Sequence, residues 1–192
     1  MPIPTRRRTV RRGAVAAAAA TGLALVLAGC VGAPAATPTP STADTPAPIF
    51  ASDEEALAAA SEAYGEFERV SQTIASESGS SPERIGDVAT SRYTPELVEE
   101  FQTYEDLGIH TVGQSTLDSL ELVEQSSSDG AATVVIYVCR DVSDVRVIDA
   151  TGNDVTPADR DERAPLVATL VSDESEHLLV DQVELWAGKD FC

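Results

Sequence analysis

At Gly108 the hydrophobic period of this chain changes, and that change constrains its fold more than any other feature. Before it, Leu57, Ala60, Tyr64, Phe67, Val70 and Ile74 recur every three or four residues, which is the stripe of an amphipathic helix. Asp53-Glu54-Glu55 opens that helix with acids at the positive end of its dipole, and Ser76 to Ser80 ends it. Ser81-Pro82-Glu83 carries the N-cap and N1-proline signature of a short second helix through Ile85 and Val88. Thr94-Pro95-Glu96 repeats it for a third, with Leu97, Val98, Phe101, Tyr104 and Leu107 on one face and Gly108 as the stop.

Beyond Gly108 the period is two. Leu120 and Leu122 alternate with Ser119, Glu121 and Val123 in a first strand, and Ser126 to Gly130 reads as a hairpin turn. Ala132 to Cys139 is β-branched and apolar on both faces, as a central strand requires. Val145 to Asp149 returns near Val155 around Thr151-Gly152-Asn153-Asp154, and Leu166–Val171 with Leu178–Trp186 makes a last hairpin around the acidic turn 172–176. Helices first and strands afterwards, without alternation, predict an α+β domain with its helices on one face of an antiparallel sheet.

The amino-terminal end carries a different kind of signal. Arg6, Arg7, Arg8, Arg11 and Arg12 precede an apolar run from Ala14 to Ala28, the arrangement of an export signal over residues 1–29. Leu27-Ala28-Gly29-Cys30 resembles the lipobox of bacterial lipoproteins. The resemblance implies small residues that admit the signal peptidase, lipid on the Cys30 sulfur, and a partner that is the membrane itself. A transmembrane anchor or an ordinary signal cleaved near Ala33-Pro34-Ala35 are the alternatives, but the run is short against the roughly 20 residues of a span. Arg6-Arg7-Arg8-Thr9-Val10 leaves twin-arginine export open beside the general route. Residues 30–52 follow as a Pro-, Thr- and Ala-rich tether with five prolines, biased toward extended polyproline II. Thr37, Thr39, Ser41, Thr42 and Thr45 offer hydroxyls for sugars there. The folded domain is expected at 53–192, on the outer face of a cell membrane.

Charge and cysteine content narrow the function. The chain holds 13 Lys and Arg against 32 Asp and Glu. All five arginines of the first twelve residues lie in the signal, so the remainder carries a net charge of about −24, which repels phosphate backbones and argues against a nucleic-acid partner. Of three cysteines, lipid would consume Cys30 and leave Cys139 and Cys192 with a single intramolecular pairing. An extracytoplasmic disulfide closing about 54 residues would contribute roughly 4 kcal/mol in the chain-entropy model. Two free buried thiols are the alternative, and a C-terminal catalytic thiol is harder to support.

Signatures of chemistry are sparse. The chain has no Gly-x-Ser-x-Gly elbow, phosphate-binding glycine loop or His-Glu-x-x-His motif. His110 just past a helix end and His177 on an acidic turn read as solvent-facing residues rather than metal ligands. Asp149, Asn153, Asp154, Asp159, Asp161 and Glu162 supply oxygens for calcium, but not at EF-hand spacing. No catalytic, cofactor or metal residue is therefore assigned.

The order of long helix, two short helices and twisted antiparallel sheet resembles the NTF2-like, or cystatin-like, cone. More closely, it is similar to small secreted lipoproteins of GC-rich bacteria that carry this cone, through Leu27–Cys30, Tyr137-Val138-Cys139-Arg140-Asp141, Val147-Ile148-Asp149-Ala150-Thr151-Gly152 and Gly188-Lys189-Asp190-Phe191-Cys192. The resemblance implies a cavity between the first helix and a concave sheet, where ketosteroid isomerase and related dehydratases place a base and a hydroxyl or acid donor. Tyr64, Tyr104, Tyr137 and Asp141 are the residues here that such a cavity would call on, although no motif around them matches a catalytic set. Tyr64 and Tyr104 otherwise read as core aromatics with a satisfied hydroxyl, and Asp141 as a strand-end cap. Two functions remain. One is a non-catalytic envelope module that binds a protein or a small apolar ligand, and the other is a cavity isomerase, lyase or hydrolase. A carboxylate and a tyrosine hydroxyl within hydrogen-bond reach of each other would favour the enzyme.

Overall fold

The computed structural model describes residues 48–128, 130–189 and 191–192. The signal segment 1–29, Cys30 and the tether as far as residue 47 lie outside the described residues. Among the described residues no helix is long and apolar enough to cross a membrane. The domain lies within one compact unit, Asp44–Cys192.

Helix α1 spans Asp53–Ser76. Ser52 accepts the Glu55 N–H on its side chain at 3.2 Å, and the Glu55 carboxylate accepts the Ala51 N–H at 2.8 Å, so two donors at the helix start are satisfied reciprocally. Just before this cap, Phe50 is buried in the core and Ile49 packs against it. Packed chain thus begins a few residues ahead of the Asp53 boundary, because an aromatic ring at the end of a proline-rich tether found apolar surface to cover. Helix α2 spans Thr94–Leu107 and stops at Gly108, which takes the left-handed φ of 63° that a C′ residue needs.

The sequence between the helices departs from expectation. Pro82–Asp87 is a 3-10 turn, not an α-helix, and Ser81 is left-handed at φ 52° with no side-chain cap bond. Six residues cannot recover the cost of nucleating an α-helix, so the segment keeps the tighter turn and buries Ile85 alone. Thr94 likewise does not cap α2. It lies inside the helix, and its hydroxyl donates to the Thr90 carbonyl at 2.8 Å.

Six strands follow: β1 His110–Val112, β2 Thr116–Ser128, β3 Ala131–Asp141, β4 Arg146–Ile148, β5 Arg163–Ser172 and β6 Leu178–Leu185. The main sheet is antiparallel in the order β2-β3-β5-β6, while β1 and β4 form a separate antiparallel ribbon. Strand β2 is far longer than the Leu120–Val123 alternation indicated, and it carries pairing through Ser128. Two register shifts interrupt it, one around Ser119 at φ 52°, which hide its period in the sequence and bend the strand. The return near Val155 is a single bridge between Ile148 and Asp154; the real partner of β4 is β1, with His110 opposite Ile148. His110 is accordingly a half-buried strand residue rather than an exposed turn residue, whereas His177 is exposed on its turn. The edge of β6 is covered by residues 88–90, with Thr90 donating to the Val180 carbonyl at 2.9 Å.

Helices pack on one face of the sheet, the α+β arrangement expected. Ala56, Ala60, Tyr64, Phe67 and Ile74 of α1 meet Val134, Ile136 and Val138 of β3, Ala168 and Leu170 of β5, and Val180 of β6. Even-numbered β3 residues point to this core and odd-numbered ones to the opposite face, as the two-residue pleat demands.

Candidate functional site

A cavity of about 420 Å³ opens between α1, α2 and the far end of β3. Phe67, Tyr93, Leu97, Phe101, Tyr104 and Val183 give it apolar and aromatic walls. They arrive there because the stripe of α1, the buried face of α2 and the core face of β6 converge above a strand that ends in polar residues.

Polar groups enter this cavity at a few points. Glu68 of α1 is 5% exposed, one of two buried polar or charged residues described. Its carboxylate accepts the Ser115 hydroxyl and stands 3.6 Å from Nε of Arg140. The Ser115 N–H in turn donates to the Gln72 side-chain oxygen at 3.3 Å. A buried carboxylate needs such compensation, since desolvation alone costs several kcal/mol. Tyr64 lies one helical turn from Glu68 and is fully buried, yet its hydroxyl has no hydrogen-bond partner among the described residues. Burial foremost, and then the nearby Glu68 charge, pushes its ionisation far above the ordinary tyrosine range. Burial, followed by the Glu100 charge, also raises Tyr104, and burial with Glu96 raises Tyr93. All three phenols therefore stay protonated at neutral pH and can donate.

The four residues singled out for a cavity separate into two pairs. Tyr64 and Tyr104 line it. Tyr137 and Asp141 have the wrong parity on β3 and lie on the other face of the sheet. There the Tyr137 ring packs against Trp186 and Phe191, with centroids 4.9 and 5.1 Å apart. Asp141 accepts the Ser143 N–H at 2.9 Å, capping the strand end, and pairs with Arg163 at 2.9 Å. Tyr64 also departs from the satisfied core aromatic expected of it, because packing against Phe67 and the sheet leaves its hydroxyl no acceptor in reach.

Glu68 and Arg140 are the members that sequence reasoning missed. Arg140 had a signal: it shares the even parity of Val134, Ile136 and Val138. Glu68 had a weaker one, four residues after Tyr64 on the buried stripe.

Elsewhere the candidate residues find structural partners. Cys139 and Cys192 stand at disulfide distance, with Cα atoms 5.4 Å apart, and Arg163 lies 3.1 Å from the Cys139 sulfur. In the acidic loop, Asp149 accepts the Thr151 hydroxyl at 2.7 Å and the Thr151 and Asn153 N–H groups at 2.9 Å each. The Thr151 hydroxyl foremost, and then the Asn153 backbone, hold its carboxyl down at about 2. Asp154 is similarly occupied by Thr156 at 2.9 Å, and Asp159, Asp161 and Glu162 are exposed. The loop's oxygens thus brace its own turns, and among the described residues no group of three or more His, Cys, Asp or Glu side chains is gathered for a metal ion.

No protein-family model matches this chain, and no curated protein matches it. Solved structures do. The intermembrane space region of the chloroplast protein ARC6 superimposes with a TM-score of 0.52 at 14% identity, over 69% of this chain and 97% of that one. A protein from Catenulispora acidiphila in complex with S-DNPA matches at TM-score 0.41 and 14% identity, covering 67% of this chain and 92% of its own. ActVI-ORFA from Streptomyces coelicolor matches at TM-score 0.40 and 13% identity, covering 69% and 96%. At 14% identity the likeness to the ARC6 region concerns the fold alone, helices packed on one face of an antiparallel sheet.

Proposed function

We propose that this chain is a lipoprotein held on the outer face of a cell membrane through lipid on Cys30, and that its domain is a non-catalytic module binding a small apolar ligand between α1, α2 and β3. The observation that carries the binding role is the cavity, about 420 Å³ in volume and walled by Phe67, Leu97, Phe101 and Val183. Its size and its mixture of apolar walls with a few placed polar groups are those of a small-molecule site. The arginine-rich start, the apolar run and the Leu27–Cys30 lipobox support the anchor. A Cys139–Cys192 disulfide suits an oxidising location outside the cytoplasm.

A cavity enzyme is the second reading, favoured by one observation, the buried Glu68 carboxylate. Against it, Glu68 is held by Ser115 and Arg140 while the Tyr64 hydroxyl has no hydrogen bond to it. That arrangement fixes a charge more readily than it relays a proton.

Two measurements test the proposal. Metabolic palmitate labelling should mark the wild-type chain, whereas Cys30→Ala should be unlabelled and leave the membrane fraction; unchanged partitioning of the variant would remove the anchor. For the cavity, the neutral dye N-phenyl-1-naphthylamine should bind the unit Asp44–Cys192 saturably. Leu97→Trp, which fills the space, should abolish that binding, and a dye signal indifferent to Leu97→Trp would remove the binding role.

A further inference from the structure

We infer that the ligand is a monocarboxylate with an apolar body, its carboxylate held at the arginine side of the cavity by Arg140 and Arg160. This rests on the cavity being the binding site. In a chain with 32 acidic residues against 13 basic ones, arginines find carboxylates easily. Six of the seven described arginines do so at ion-pair distance, and Arg160 does not. Arg160 is half-buried on the cavity wall, and only its Nη2 is engaged, donating to the Val142 and Val145 carbonyls at 2.8 and 2.6 Å. Nε and Nη1 of Arg160 have no hydrogen-bond partner among the described residues.

Arg140 is incompletely used as well. It reaches Glu68 only as an ion pair at 3.6 Å and makes no hydrogen bond among the described residues, although its side chain lines the cavity and is 43% exposed. Arg140, Arg160 and the two residues whose carbonyls hold Arg160, Val142 and Val145, all line this one cavity, so a ligand inside it faces both guanidinium groups.

Charge counting selects the ligand's valence. Glu68 balances Arg140, and Arg160 has no acid at ion-pair distance; the Asp154 carboxylate that feels its charge is exposed and lies outside the cavity lining. Glu100 also borders the cavity but is solvent-exposed, where water and salt screen it. The enclosed part of the site therefore carries one net positive charge beside protonated phenols that donate. Guanidinium forks match a carboxylate bidentately, and a single anionic charge balances the site. The rest of the molecule must be apolar to face Phe67, Leu97, Phe101 and Val183.

Displacement of N-phenyl-1-naphthylamine from Asp44–Cys192 separates this inference from the reading beneath it. Benzoate, 2-naphthoate and decanoate are compared with their matched primary alcohols and amines. At least one carboxylate should displace the dye at tenfold or more lower concentration than its alcohol, with the amine weakest. Arg160→Gln should remove that preference, the acid-to-alcohol ratio being taken within the variant so that any change in its dye affinity cancels, and an unchanged ratio would overturn the assignment to Arg160. Equal displacement by acid and alcohol across the three sizes overturns the carboxylate and leaves the cavity standing. Failure of the dye itself to bind saturably overturns both.

Discussion

Tyr64 sets the terms at the scale of the residue. A hydroxyl taken out of water without a partner costs roughly 1–3 kcal/mol, and that of Tyr64 is fully buried and unpaired. Tyr64→Phe should therefore leave the fold intact and raise its stability by about 1 kcal/mol in urea unfolding. A loss of similar size would mean that the hydroxyl is bonded in solution. A gain would place Tyr64 among residues kept for a site and not for stability. At this same scale the sequence is least legible. Nothing in Glu66-Phe67-Glu68-Arg69 distinguishes the buried Glu68 from the exposed Glu66, which pairs with Arg69 on the solvent side. The difference is about two hundred degrees around a helix, and it acquires meaning only when Ser115 arrives from the β1–β2 loop and Arg140 from β3.

Elements are joined here by a few close approaches of backbone. Gly79 ends α1 at φ 77°, donating its N–H to the Ile74 carbonyl at 2.8 Å, and a Cβ on it would meet the Phe101 carbonyl oxygen of α2 at 2.1 Å. Both the left-handed backbone and the contact exclude a side chain. Gly79→Ala should cost about 2 kcal/mol or more in chemical denaturation. Gly65→Ala, in the middle of α1 with open space around its Cβ, should instead stabilise by up to about 1 kcal/mol. Equal effects would show that Gly79 does not hold the two helices together. Long periodic elements such as α1, β3 and β5 were legible because each buries one face throughout. The short ones were not. Strands β1 and β4 are three residues each, too brief for a period, and each exists because the other is there.

For the molecule as a whole, the carboxyl-terminal tail matters most. Trp186 and Phe191 cover Tyr137 on the sheet face that the helices leave open, and Cys192 stands at disulfide distance from Cys139 of the central strand. With the cysteines 53 positions apart in sequence, closing that loop would restrict the unfolded chain by about 4 kcal/mol. Cys192→Ser should lower the unfolding free energy by about that amount under non-reducing conditions, and reductant should then change the variant no further. An unaltered midpoint would mean that the cysteines are not bonded.

The sequence alone determined the order of helices before strands, the antiparallel sheet and the pairing available to the two cysteines of the domain. Those follow from local periodicity, turn residues and arithmetic, all of which are properties of neighbours along the chain. Only the tertiary structure decided that Tyr137 and Asp141 turn away from the cavity, that Glu68 and Arg140 meet inside it, and that Arg160 stands on its wall with no carboxylate at ion-pair distance among the described residues. Strand parity, register shifts in β2 and the meeting of residues some seventy positions apart set those outcomes, because burial and charge compensation depend on every element that packs around a group.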